Sequence, residues 1–86
     1  MAKIVIEIFS AEWCPHCHPA VEMVSEVIEG REEIELIVWD VDSPEGRKKA
    51  EEFMITAIPT IIINGEIAFI GRPTKEQFLE KLKEFE

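Results

Sequence analysis

The chain has 86 residues, 47% hydrophobic and 31% charged, a globular composition that fits one domain over 1–86 and leaves no room for a second core. Nine Lys and Arg against 18 Asp and Glu give a net charge of -9, which repels phosphate backbones and excludes nucleic acid as an expected partner. No apolar run approaches the roughly 20 residues that span a bilayer, and Met1-Ala2-Lys3-Ile4-Val5-Ile6-Glu7 reads as a strand instead of an export signal, so a cytoplasmic protein is expected.

In residues 3–9, Ile4, Ile6 and Ile8 alternate with Val5 and Phe9, which predicts a central strand covered on both faces. Over 14–29 the period becomes helical, with Cys17, Val21, Val24 and Ile28 on one stripe and Gly30 as the stop. Pro19 predicts either a kink or a helix that starts near His18. The acidic residues Glu22, Glu26, Glu29 and Glu33 read as a solvated face. Residues 34–39 form a second strand, with Trp39 expected in the core. Strand, helix and strand make a right-handed βαβ unit with parallel strands.

Ser43-Pro44 opens a second helix as N-cap and first helical residue, with Ala50, Phe53 and Met54 as its expected buried stripe. Ile58-Pro59 breaks the chain before a strand over 60–63. Asn64-Gly65 is a two-residue hairpin signal, so 66–70 runs antiparallel to it. Thr74-Lys75-Glu76-Gln77 is a capping box for a last helix with Phe78, Leu79, Leu82 and Phe85 on its apolar face. The order β-α-β-α-β-β-α is α/β, with a four-stranded mixed sheet and three helices.

Two cysteines are too few for a disulfide scaffold, and a close pair points to redox chemistry or metal. Cys14-Pro15-His16-Cys17 lies between the central strand and its helix, where free backbone N–H groups and the helix dipole favour thiolate. The i, i+3 spacing brings both sulfurs to one side. Cys14 is the expected exposed nucleophile, and Cys17, turning into the helix, the resolving thiol. His16 stands where it can favour the Cys14 thiolate. A thiol pKa lowered by about two units would raise the potential by roughly 60 mV. The alternative is zinc or copper held by Cys14, Cys17 and His18, which share a helical face, with His16 close by. A structural zinc site draws its ligands from two separated segments, and this chain has no second pair.

Trp13-Cys14-Pro15-His16-Cys17, Ile58-Pro59-Thr60, Asn64-Gly65-Glu66, Gly71 and the final amphipathic helix follow the order of the thioredoxin superfamily. The chain resembles the short, glutaredoxin-sized thioredoxins of archaeal type over nearly its whole length. The resemblance implies a thioredoxin-like fold with a cis-proline at Pro59 beside the disulfide. It implies a monomeric protein-disulfide reductase that needs no bound cofactor and takes electrons from a thioredoxin reductase or a low-molecular-weight thiol. Disulfide-containing proteins would be its substrates, held by Trp13, Pro15, Ile58, Pro59 and Gly71. Pro-His is also the dipeptide of the family's periplasmic oxidant, so a potential less reducing than that of Gly-Pro thioredoxins is expected.

Two family features are missing. Where thioredoxins commonly carry a buried Asp for proton transfer stands Ile8, and their partner Lys corresponds to Val38. Glu7 is one residue off and faces the other side of the strand. Glutaredoxins bind glutathione with a Gly-Gly-x-x-Asp segment; here the sequence is Gly71-Arg72-Pro73-Thr74.

Overall fold

The computed structural model describes residues 3–86; the part of the N-terminal reading that falls on Met1 and Ala2 lies outside them. In chain order the elements are β1 (Ile4–Ser10), α1 (Cys17–Ile28), β2 (Ile34–Asp40), α2 (Pro44–Glu52), β3 (Thr60–Ile63), β4 (Glu66–Ile70) and α3 (Lys75–Lys83). The sheet order is β2-β1-β3-β4, with β1 parallel to β2 and antiparallel to β3. β1 is therefore central, as its two apolar faces require.

One face of the sheet presents Ile4, Ile6, Ile8, Ile61 and Ile63 to Val24 of α1 and to Phe78 and Leu82 of α3. Each of these side chains is almost wholly buried, and such burial stabilises by about 1.5–3 kcal/mol apiece relative to exposure. The other face is covered by α2 and the residues after it, with Phe9 meeting Phe53 edge to face at 6.0 Å. No helix among the described residues is long and apolar enough to cross a membrane.

Local signals account for the turns. Ser43 Oγ accepts from the Gly46 N–H at 3.0 Å, and Pro44 occupies the first helical position. Thr74 and Gln77 form the reciprocal capping box. Asn64 and Gly65 both take positive φ, +49° and +85°, as a tight hairpin demands. The Asn64 N–H donates to Val5 O and its Oδ1 accepts from the Val5 N–H, both at 2.8 Å, so the turn is tied back to β1. At the same end Arg31 joins Glu86 at 2.8 Å and Glu33 at 3.0 Å. The two carboxylates, Glu86 first, raise the Arg31 pKa. Glu33 is held below the usual carboxylate range by its own backbone N–H and then by Arg31.

Four expectations need correction, those for Cys14, Met54, Leu79 and Trp39. α1 begins at Cys17, so Cys14 lies in the turn before the helix instead of in its first turn. Of the two readings of Pro19, the late helix start is the one observed: Pro19 is the third helical residue, where no intrahelical N–H bond is lost and no kink is needed. Met54 is not part of a buried stripe: α2 ends at Glu52, and Met54 takes a left-handed φ of +54° and is 81% exposed. Leu79 lies at the margin of its helix face, 37% exposed. Trp39 is half-buried, its indole N–H donating to Glu7 Oε2 at 2.8 Å and Lys49 standing 5.6 Å over its ring.

Candidate active site

Because β1 and β2 are parallel, their C-terminal ends lie side by side, with Ser10 opposite Asp40. The loops that leave these two strands build the site. After β1 the chain turns at Ala11, whose carbonyl accepts from the Cys14 N–H at 3.1 Å, and turns again as the Cys17 N–H reaches the Cys14 carbonyl at 3.3 Å. The double turn joins Cys14 to Cys17 in a disulfide with Cα atoms 5.4 Å apart.

Cys14 is the more accessible of the pair, as expected, but only by a margin: 4% exposed against 0% for Cys17. The expectation of an open Cys14 thus fails for the oxidised protein. Ala11, Val41 and Ile58 pack around the disulfide and cover it. Ile58 precedes Pro59 through a cis peptide bond, as the resemblance implied. Pro59 is fully buried, and its carbonyl accepts from the Gly71 N–H at 2.7 Å, with Gly71 at φ +98°. Gly71 thereby stands beside the proline. The Ile58 backbone makes no hydrogen bond within the described chain.

Trp13 is 67% exposed, a high value for an aromatic ring, and its indole N–H donates to Asp42 Oδ2 at 2.9 Å. Its ring borders a groove of about 220 Å³ formed with Val41, Ala50, Ile55, Thr56, Ala57 and Ile58. Pro15 and His16 are exposed at the head of α1, and the His16 side chain has no hydrogen bond to Cys14. His18 Nε2 lies 3.1 Å from the Glu12 carbonyl. With that ring engaged and the two sulfurs joined, no group of three potential ligands converges among the described residues.

Ile8 is fully buried and sits in register with Val38, which is 44% exposed. No carboxylate therefore occupies the position the family gives to its buried Asp. Glu7 turns to the opposite face and meets Trp39. Sequence reasoning missed Asp42, Val41 and Ile55. The signal for the first two was present in the βαβ unit, since residues just past two parallel strands must share one end of the sheet.

The thioredoxin domain family matches residues 4–84. A thioredoxin of Methanocaldococcus jannaschii is 41% identical over 83 residues, covering 96% of both chains. The chain belongs to the thioredoxin family. A probable thioredoxin of Methanothermobacter thermautotrophicus is 36% identical over 92% of each chain. The fold agrees with the solved Fasciola hepatica thioredoxin at a TM-score of 0.79 and 24% identity, over 96% of this chain and 81% of that one. A thioredoxin mutant from Halobacterium salinarum gives 0.81 at 20% identity, over 98% and 75%. As a thioredoxin-family member this chain is a thiol–disulfide oxidoreductase with Cys14 and Cys17 as its redox dithiol.

Proposed function

We propose that the protein reduces disulfides in other proteins, working as a single monomeric domain in the cytoplasm without a bound cofactor. The observation that carries this reading is the position of the disulfide: it lies against Ile58, whose backbone is unpaired among the described residues, beside an exposed Trp13 and an apolar groove. An extended substrate segment pairs with the Ile58 backbone as an added strand. Trp13, Pro15, Pro59 and Gly71 flank it.

The Cys14 thiolate attacks one substrate sulfur, the substrate S–S bond breaks, and the departing sulfur takes a proton. Cys17, deprotonated, then attacks Cys14 Sγ and displaces the second substrate sulfur, which also takes a proton. Two electrons and two protons pass from the dithiol to the substrate, and the Cys14–Cys17 disulfide is left. His16, charged when protonated, stabilises the Cys14 thiolate. The dithiol is restored by a thioredoxin reductase or a low-molecular-weight thiol.

The reduced protein should precipitate insulin chains under catalytic conditions, with either a thioredoxin reductase or a small thiol as reductant. Failure with both donors would overturn the reading. Asp42→Ala should lower kcat/KM for a protein disulfide about fivefold, chiefly through KM. It frees the Trp13 indole, and one such hydrogen bond is worth about 1 kcal/mol. An effect confined to kcat would remove Asp42 from a positioning role.

A further inference from the structure

We propose that a second groove, between α1 and the segment after Gly71, takes an acidic side chain of the substrate, so that Arg72 and Lys75 favour disulfides flanked by Asp or Glu. The proposal rests on the protein-disulfide reductase reading and names the substrate class.

The groove has a volume of about 360 Å³ and is lined by Pro19, Met23, Arg72, Pro73, Thr74 and Lys75. Both of its walls continue along the chain from residues of the redox site. Pro19 is two residues past Cys17, and Arg72 directly follows Gly71, whose N–H is bonded to the Pro59 carbonyl. In the proposed complex a segment paired with Ile58 has this groove towards α1 and α3, whereas the Trp13 groove is lined by Ala50 of α2 and by Ile58 itself.

Charge decides the occupant. The lining carries two cations and no carboxylate, in a chain whose net charge is -9. The Trp13 groove is uncharged. The groove at Trp39 sets Glu45 and Glu52 against Lys48 and Lys49, and the one at Phe69 sets Glu80 and Glu84 against Lys81. Arg31, Lys49 and Lys81 all have ion-pair partners; Arg72 and Lys75 have none among the described residues. Arg47, Lys48 and Lys83 also lack an ion-pair partner among the described residues, but only Arg72 and Lys75 share one groove whose lining holds no carboxylate. That pair attracts a carboxylate, while Pro19, Met23 and Pro73 offer apolar contact to its methylenes.

The test uses synthetic peptide disulfides that are identical except for Ser, Glu or Lys beside the cystine, with glutathione disulfide as a small carboxylate-bearing comparator. The quantity read is kcat/KM for the acidic peptide divided by that for the Ser peptide. In Arg72→Glu/Lys75→Glu this ratio should fall about tenfold from the wild-type value. In Arg47→Glu/Lys83→Glu, which has the same net charge, it should change less than about twofold. Equal losses in the two double variants would assign the effect to the whole molecule's field and overturn the proposal. An unchanged ratio in both would overturn it too, with reduction of the Ser peptide leaving the reductase reading intact. Dependence on Arg72 and Lys75 for glutathione disulfide but not for the acidic peptide would make the groove a small-molecule site and reject the proposal. If wild type reduces none of the peptides, both readings fall.

Discussion

Cys14→Ser should abolish turnover of a protein disulfide, by more than about 10³-fold, whereas Cys17→Ser should stop after one half-reaction with substrate covalently attached. A hydroxyl at position 14 does not ionise near neutral pH, so no nucleophile remains at the more accessible of the two positions. Cys17 cannot substitute for it, because it is fully buried beneath the turn that carries Cys14. In Cys17→Ser the first attack proceeds, but nothing resolves the mixed disulfide. Insulin turbidity measures the turnover, and mass spectrometry of the trapped species reads the adduct directly. An adduct formed by Cys14→Ser would reverse the two roles. The assignment follows from which sulfur a bulky substrate reaches first, and Cys14 is 4% exposed against 0% for Cys17.

Gly46→Ala should destabilise the protein by about 3 kcal/mol, which in a domain of this size lowers the melting temperature by roughly 12–24 °C. A Cβ at this position would stand 2.5 Å from the Asp40 carbonyl carbon, closer still to its oxygen, and 3.0 Å from Ser43 Oγ. Neither neighbour yields easily. The Asp40 carbonyl accepts from both the Ser43 N–H and the Ser43 hydroxyl, and Ser43 caps α2. Gly30→Ala is the comparator. It has a φ of +80° but open space around it, and should cost only about 1–2 kcal/mol. Thermal and denaturant melts of the two variants decide the matter; equal losses would show that backbone conformation, and not contact with Asp40, governs position 46. Because Asp40 leads directly into Asp42, the Trp13 hydrogen bond should loosen together with the helix.

Much of this architecture was legible because its determinants are local. Asn64-Gly65, Ser43-Pro44 and Thr74 with Gln77 each specify a turn or a helix start within four residues. The alternation in β1 marked it as central. What escaped reading depends on contacts between distant residues. Trp13 and Asp42 are 29 positions apart, and Glu7 and Trp39 are 32 apart; alternation assigned Glu7 to a face but named no partner. Met54 continues the helical spacing of Ala50 and Phe53, yet the helix ends before it and the chain swings outward. The covering of Cys14 comes from Val41 and Ile58, which arrive from two other loops. The family's buried Asp and its partner Lys, by contrast, were seen to be missing from sequence alone, and Ile8 and Val38 occupy those places in register.

The hairpin clasp at Asn64 and the Arg31–Glu86 pair stand at one pole of the sheet, and the disulfide stands at the other. β1 runs the distance between them, seven residues or about 23 Å. Lys3, whose N–H is bonded to the Glu33 carbonyl, belongs to the hairpin pole. Any tag, surface linker or fused module joined ahead of Lys3 or beyond Glu86 therefore departs from the hemisphere opposite the chemistry. The molecule comes with its own handle: it can be grafted to an electrode or a carrier from either end with its redox pole left away from the point of attachment.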